Sequence, residues 1–175
     1  KTKVKAAASL FGYILWDDDF VPLGNYKEYA GSLGTANMPI QQTGYRNLYV
    51  LLIPSHIFLQ PRIDAVSANI LSITRNLIND YGATIGAPHY ISASIEPTLN
   101  NLLQLKQNGI DHFASEPKIA RFAEFYMNLL TPPEVRYGNK RKLIAEGDGS
   151  TESTAMTGIL ATGFSNSNLI LSSRL

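Results

Sequence analysis

The sequence predicts an all-α fold built of antiparallel helix hairpins. Apolar residues recur mostly at steps of three and four, the spacing of one helix face, and the clearest series is Ile63, Val66, Ile70, Ile73, Leu77 and Ile78. No stretch shows the sustained period-two alternation of a half-buried strand, so few strands are expected. Prolines and glycines divide the chain into about six helices, joined by loops that alternate in length. This rhythm suits hairpins wound around a common axis, and equally a bundle.

Start and stop residues bound the first three predicted helices. The alanine-rich segment 4–15 forms the first helix, which ends before an aspartate-rich loop. Asn37 is a good N-cap for a second helix over residues 40–53, and Pro54 stops that helix because proline cannot continue it. Pro61 opens the third helix, which carries the apolar series above, because a first turn tolerates proline.

The second half of the chain continues the pattern of helices and breaks. The segment 81–89 carries two glycines and a proline, so we predict an ordered loop there, before a leucine-rich helix. Gly109 is typical of the residue that follows a helix end, and Ser115-Glu116-Pro117 is typical of the next helix start. Beyond Pro132-Pro133 we predict a loop over 136–150, a helix over 151–163 and another element from Asn168 to Leu175.

The composition excludes several classes of protein. Hydrophobic residues make up 45% of the 175 residues, which is enough for a packed core, but charged residues make up only 17%. Typical soluble domains have roughly 25% charged residues, so the composition fits a domain that hides part of its surface in a larger assembly or chain. The net charge of +1 gives no electrostatic case for nucleic acid. The chain has no cysteine, which excludes disulfides, zinc–thiolate sites and cysteine nucleophiles.

Motifs for metals, cofactors and membrane spans are not found in the sequence. Phosphate-binding glycine loops, His-Glu-x-x-His and nucleophile-elbow patterns are absent. The segment 147–152 superficially resembles a calcium loop but lacks the alternating acidic residues of an EF-hand. No apolar run approaches the ~20 residues needed to cross a bilayer. We therefore expect no cofactor, no bound metal and no membrane partner.

Two segments that precede helices carry the candidate chemical groups. One holds Asn37, and the other holds His89 and Tyr90 beside a proline that stiffens the backbone. In an array of hairpins, pre-helix loops separated by one helix pair end on the same face, so Asn37 and the His89-Tyr90 pair are expected to face one cleft. The alternative interpretation is that Asn37 only caps its helix and Tyr90 is only a core aromatic residue.

Several segments resemble the heparinase II/III-like polysaccharide lyases. The first runs from Asn79-Asp80-Tyr81-Gly82 through Pro88-His89-Tyr90 into the helix that ends at Gly109, and it is similar to that family's "D-G-x-x-x-E-G-P-x-Y" loop and following helix. Residues 130–149 are similar to a loop that closes a helix there, and residues 34–42 to the segment with the catalytic asparagine. With Tyr90 in register, the motif differs here at Tyr81, Gly86 and Ala87, which stand for its aspartate, glutamate and glycine. The resemblance covers residues 30 to 160 or so.

The resemblance implies an (α/α) toroid followed by a β-sandwich domain, and cleavage of an acidic polysaccharide by β-elimination. That reaction needs a group that neutralises the uronate carboxylate, a base for the carbon-bound proton and an acid for the leaving oxygen. Asn37 matches the carboxylate-binding position and Tyr90 the general acid or base, with His89 beside it. Four further residues are candidate sugar contacts: Gln41, Gln42 and Arg46 on the helix after Asn37, and Trp16 in an aromatic loop.

Two other functions stay open. An (α/α) toroid glycoside hydrolase needs two acidic residues across a cleft, and a non-catalytic helical module would bind glycan or a partner protein. The chain begins at Lys1, not at an initiator methionine, so we expect residues 1–175 to be a single helical domain that is a fragment of a larger catalytic domain. The resemblance implies a periplasmic or secreted protein. The exposed helix faces of an incomplete toroid predict self-association into dimers or larger species.

Overall fold

The computed structural model describes residues 2–15, 37–57, 59–86, 88–145 and 155–174. Within these ranges the regular structure is helical, and β-structure is limited to isolated bridges such as that between Leu130 and Leu143. The predicted all-α fold class is therefore confirmed for the part of the chain that the structure describes.

The helices follow the predicted order, with small shifts at their ends. They are α1 (Thr2–Leu15), α2 (Asn37–Leu52), α3 (Ile63–Leu77), α4 (Pro88–Gln107), α5 (His112–Ser115), α6 (Pro117–Asn128), α7 (Ala155–Phe164) and α8 (Leu169–Arg174). Short 3₁₀ helices at Gln60–Arg62 and Val135–Tyr137 precede α3 and follow α6. The predicted loop through His89 is too long by two residues, because Pro88 already occupies the first position of α4, where proline is favoured.

Helices α2, α3 and α4 form the centre of the described fold. Helix α1 packs on α2, and α7 packs on α4. The predicted apolar face of α3 points into the core, where Val66, Ile70, Ile73 and Leu77 are buried. Burying each such side chain stabilises the fold by roughly 1.5–3 kcal/mol. These four buried side chains therefore fix the position of α3.

The end of α4 is fixed by backbone hydrogen bonds around Gly109. The Ile110 amide donates to the Leu105 carbonyl oxygen at 2.9 Å, and the Gly109 amide donates to the Lys106 carbonyl oxygen at 3.0 Å. This pair of bonds is the Schellman motif, which needs a left-handed residue, and Gly109 has a φ of 89°. The predicted role of Gly109 is confirmed.

The start of α6 is tied to α3 through Glu116. Its Oε1 accepts a hydrogen bond from the Lys118 amide at 3.2 Å, and its Oε2 accepts one from Arg75 Nε at 2.7 Å. The Glu116 side chain is buried, and a buried carboxylate is tolerated when it is paired and hydrogen-bonded. One side chain therefore caps α6 and positions it against α3.

Candidate functional site

Helices α2 and α4 lie side by side and run in the same direction. Asn101 Nδ2 donates to the Gly44 carbonyl oxygen at 3.0 Å, and Asn108 Nδ2 donates to the Leu51 carbonyl oxygen at 3.1 Å. From the first bond to the second, the residue number rises by seven, about two turns, on both helices. The two numbers rise together only when the helices are parallel. The two helix starts therefore lie at the same end of the fold.

This register relates Asn37 to Tyr90. Gly44 of α2 lies against Pro97 of α4, so closely that a Cβ placed on Gly44 would stand 2.7 Å from the Pro97 Cβ. Asn37 precedes Gly44 by seven residues, and Tyr90 precedes Pro97 by the same number. Asn37 and Tyr90 thus each lie two turns before the contact between Gly44 and Pro97, and the structure brings them to the same end of adjacent helices.

Asn37 and Tyr90 are both accessible. Asn37 is partly exposed, and its Oδ1 accepts a hydrogen bond from the Met38 amide at 2.9 Å. This bond uses the acceptor of the side-chain amide, while the donor Nδ2 is the group that a substrate carboxylate needs. The Tyr90 side chain is 39% exposed and is therefore not a core aromatic residue.

His89 accompanies Tyr90 at the start of α4. The two rings meet edge to face, with centroids 5.3 Å apart and planes at 72°. His89 is exposed, so an imidazole and a phenol stand together at the accessible end of the helix. Both groups can donate or accept a proton in general acid–base chemistry.

The loop between α3 and α4 is held by side chains of α6. Lys118 Nζ donates to the Ile78 carbonyl oxygen at 2.8 Å, and Arg121 Nη1 donates to the Asp80 carbonyl oxygen at 2.8 Å. Within the loop, Asn79 Oδ1 accepts the amides of Tyr81 and Ala83 at 2.9 and 3.0 Å. Because this loop leads directly into Pro88, these bonds support the start of α4.

Apolar and aromatic side chains are exposed around the two helix starts. Tyr81 is 89% exposed although it lies in the well-fixed loop. Exposed apolar surface that a fold does not need for its core often marks a place where a ligand binds. The exposed apolar and aromatic side chains of these segments are Met38 on α2, Tyr81 and Ile85 in the loop before α4, and Tyr90 on α4.

A groove runs between α2 and α4, starting one turn beyond their first residues. It consists of two adjoining cavities of about 200 and 220 Å³ that share Tyr45, Pro97 and Asn100. We call it the α2–α4 groove. Its polar lining residues are Gln41, Tyr45, Ser92, Glu96, Asn100, Asn101 and Gln104.

The remaining predicted sugar contacts have different positions. Gln41 lines the α2–α4 groove. Gln42 lies within α2, and Arg46 is a partly buried residue of the same helix that does not line the groove. Trp16 lies outside the described residues.

Most of the groove residues on α4 were not predicted from the sequence. Ser92, Glu96, Asn100 and Gln104 are polar and follow one another at steps of four, which places them along one stripe of the helix. This stripe was detectable, since it crosses a helix whose other positions are largely apolar. No sequence pattern of this kind marks Tyr45. It is identified as a groove residue from the structure, where it is 59% exposed beside the polar stripe.

A second polar cluster lies between α3 and α5, at the far end of α3 from this site. Ser67 Oγ is 2.8 Å from His112 Nε2, and His112 Nδ1 is 3.4 Å from Ser115 Oγ. Ser115 Oγ donates to the Asp111 carbonyl oxygen, so it accepts from Nδ1. These bonds assign the proton of neutral His112 to Nδ1 and make Ser67 the donor to Nε2.

The surroundings of His112 favour its neutral form. Burial lowers the pKa of His112, and the positive charge of Arg75 lowers it further. The carboxylates of Asp111 and Glu116 act in the opposite direction and only partly offset these effects. His112 therefore belongs to the packing of the fold and is separate from the groups at the starts of α2 and α4.

Comparison with known protein families, curated proteins and solved structures gives no match to this chain. In the part of the chain that the structure describes, no three acidic or histidine side chains are grouped as metal ligands. None of the described helices is long and apolar enough to cross a membrane. The functional assignment therefore depends on the geometry of the groups at the starts of α2 and α4.

Proposed function

We propose that this chain is part of the helical catalytic domain of a uronate-polysaccharide lyase, of the heparinase II/III-like kind and with an (α/α) toroid architecture. The observation that carries the proposal is the parallel register of α2 and α4, which sets Asn37 and Tyr90 at one accessible end. An amide donor and a phenol at adjacent helix starts are two of the groups that β-elimination needs.

In the proposed reaction, Asn37 Nδ2 donates a hydrogen bond to the uronate carboxylate. This bond strengthens as the base removes the carbon-bound proton and negative charge develops on the carboxylate. The electron pair then forms a carbon–carbon double bond as the bond to the glycosidic oxygen breaks, and that oxygen takes up a proton. Tyr90 and His89, in ring contact at 5.3 Å, are the proposed proton-transfer groups.

The aromatic surface around the site supports a carbohydrate substrate. The exposed ring of Tyr81 belongs to the loop that precedes α4, and the partly exposed ring of Tyr90 belongs to the first turn of α4. Aromatic side chains offer an apolar face together with a polar hydroxyl, which suits the apolar and hydroxylated faces of a sugar ring.

The hydrolase alternative has less support than the lyase proposal. Hydrolysis needs two carboxyl groups about 5–9.5 Å apart across the substrate. Among the described residues that line the groove, Glu96 is the carboxylate, and it has no acidic counterpart on α2. The α2–α4 groove supports the other alternative, a non-catalytic glycan-binding module. The activity assay of the next paragraph separates this function from catalysis.

The test is the formation of unsaturated uronic products, followed by ultraviolet absorbance, by the natural protein that contains this chain. A panel of acidic polysaccharides is compared for the wild type, Tyr90→Phe and Asn37→Asp. Aspartate preserves the capping acceptor of Asn37 but replaces its donor with a repelling carboxylate. We expect both variants to fold normally and to lose activity by about 10²- to 10³-fold, as for other electrostatic groups in active sites.

Matched controls are Tyr137→Phe, on the 3₁₀ helix after α6, and Asn76→Asp, exposed on α3. Both should retain activity. Elimination that proceeds unchanged in Asn37→Asp would mean that Asn37 serves only as a cap. A folded wild type that binds uronate polymers without cleaving them would replace the lyase proposal with the glycan-binding function.

A further inference from the structure

We infer that the α2–α4 groove is a subsite for an uncharged sugar residue next to the uronate that is cleaved. The inference rests on the proposed function and deepens it, because it defines the substrate class. The preferred polymer would then alternate uronates with uncharged sugars, in contrast to a polymer of uronate alone.

The position and size of the groove suit one part of a bound chain. It opens at Gln41 and Ser92, one turn or less beyond Asn37 and Tyr90, so it continues directly from the site of elimination. Each cavity, at about 200 or 220 Å³, is smaller than a typical small-molecule site, but the two adjoin and share lining residues. Together they reach the lower part of the roughly 300–1,000 Å³ range of such sites.

The polar lining consists mainly of neutral hydrogen-bonding groups. The side-chain amides of Gln41, Asn100 and Gln104 each offer a donor and an acceptor, which matches the mixed donor and acceptor character of sugar hydroxyls. Tyr45, 59% exposed, adds an aromatic face at the junction of the two cavities.

Two atoms on α4 lack the hydrogen bonds that a buried helix normally provides. Ser92 Oγ is buried and has no hydrogen-bond partner in the described part of the chain. The Ala93 carbonyl oxygen has no helical N–H four residues later, because residue 97 is proline. Both Ser92 and Ala93 line the groove, so a bound hydroxyl group could both donate to and accept from this turn. A buried, unsatisfied hydroxyl such as that of Ser92 calls for a partner.

The charge of the groove argues against a uronate in it. Glu96 is the charged residue among the described lining residues, and none of the described ion pairs involves it. A uronate carboxylate placed beside Glu96 would meet a like charge in a partly enclosed space, where repulsion is stronger than in bulk water. An uncharged sugar meets a good acceptor instead.

The test is a charge reversal measured on two substrates. The natural protein and its Glu96→Lys variant are assayed on hyaluronan, which alternates uronate with an uncharged sugar, and on polymannuronate, which is all uronate. We expect Glu96→Lys to shift the ratio of kcat/KM between the two polymers by about tenfold toward polymannuronate. The matched control is Glu124→Lys, an exposed glutamate on α6, which should leave the ratio unchanged.

A second variant tests contact independently of charge. Tyr45→Ala should raise KM for hyaluronan with little change in kcat, because the groove holds substrate away from the reacting bond. Cleavage of either polymer with an unchanged ratio in Glu96→Lys and an unchanged KM in Tyr45→Ala would overturn the subsite while leaving the lyase proposal in place.

Failure of the lyase proposal is recognised separately. If the folded wild type cleaves no uronate polymer, the uncharged disaccharide chitobiose is titrated against it, and the side-chain amide signals of Asn100 and Gln104 are followed by NMR. Shifts in these signals that vanish in Tyr45→Ala would support an uncharged-sugar site on a non-catalytic protein. The absence of shifts at millimolar sugar would overturn the inference.

Discussion

Gly44 and Pro97 form a close contact between α2 and α4, with room for no further carbon atom between them. A Cβ on Gly44 would stand 2.7 Å from the Pro97 Cβ, and the next nearest atoms are Asn101 Nδ2 and the Pro97 carbonyl carbon. Two unusual helix residues are thus matched across one interface. Glycine lowers helix propensity on α2 and proline interrupts the hydrogen bonds of α4, yet together they set the spacing of the helices.

The first prediction concerns Gly44→Ala. Alanine gains helix propensity, but its methyl group forces α2 and α4 apart, and we expect a net loss of about 1–3 kcal/mol in the free energy of unfolding, as for other overpacked sites. Gly158→Ala is the matched control, because Gly158 is a helical glycine of α7 with nothing within 4 Å of its added Cβ. That control should stabilise by up to about 1 kcal/mol. Urea denaturation of both variants measures the difference, and equal effects would contradict the contact.

The second prediction concerns Gly82→Ala in the loop between α3 and α4. Gly82 has a φ of 86°, and a Cβ there would lie 2.3 Å from the Arg121 carbonyl oxygen of α6. Gly109→Ala is the matched control, since Gly109 has a φ of 89° and nothing within 4 Å. We expect Gly109→Ala to cost about 1–2 kcal/mol from backbone strain alone. Gly82→Ala should cost a further 1–3 kcal/mol or so, because α6 must move.

Thermal unfolding of the two glycine variants separates strain from crowding. A Tm for Gly82→Ala equal to that of Gly109→Ala would show that α6 does not press on the loop. A Tm for Gly82→Ala below the Tm of Gly109→Ala would show that the loop and α6 are packed backbone to backbone.

The third prediction concerns Asn101→Asp. Asn101 is 2% exposed and donates to the Gly44 carbonyl oxygen, a role that an ionised carboxylate cannot fill. We expect a loss of about 3–5 kcal/mol at neutral pH, the usual cost of an uncompensated buried charge. Burial raises the pKa of such a carboxyl group, so the native state holds its proton more tightly and stability should recover as the pH falls.

The neighbouring residue supplies the control for this variant. Asn100 is exposed at the groove, and Asn100→Asp should change stability by no more than about 0.5 kcal/mol. Denaturation curves from pH 4 to pH 8 would contradict the prediction if Asn101→Asp showed no gain of stability at the acid end.

The fourth prediction concerns the pH dependence of stability through His112. Burial and Arg75 lower the pKa of His112 in the folded state, so the unfolded state binds the proton more readily. The contribution of neutral His112 to the free energy of unfolding is therefore fully present above the ordinary histidine pKa of about 6.5. It is lost as the pH falls below that value. His112→Gln should flatten this slope, and His89→Gln, which leaves His112 in place, should keep it. Urea midpoints between pH 5 and pH 8 measure the pH dependence of stability in both variants. If His112→Gln leaves this dependence unchanged, another group must cause it.

Local signals made most helix positions predictable. Pro61, Gly109 and Pro117 act through their own backbone geometry, and each stands where the sequence analysis expected a helix boundary. The one-turn helix α5 was not predicted, since its cap, Asp111 Oδ1 accepting the Ala114 amide, has no apolar series behind it. Short helices of this kind depend on tertiary contacts more than on local sequence.

The register of α2 and α4 could not be predicted in the same way. Asn100 and Asn101 are neighbours of the same type, yet Asn101 is buried against Gly44 and Asn100 is exposed in the groove. Which of the two faces α2 depends on residues far away in the sequence. The expectation that Asn37 and Tyr90 share one end came from the hairpin topology. Their matching positions along α2 and α4 follow from the contact of Gly44 with Pro97 and from the hydrogen bonds of Asn101 and Asn108 to α2.

The bonds from α6 to the loop between α3 and α4 have a consequence for synthesis of the chain. Both helices that carry Asn37 and Tyr90 are complete by Gln107, but Lys118 and Arg121, which hold the loop before α4, leave the ribosome later. Since chains emerge at roughly 5–20 residues per second, there is a stage at which all residues of both helices have been made and the loop is not yet held. The start of α4 therefore gains the support of Lys118 and Arg121 only after the residues that it carries have already been made.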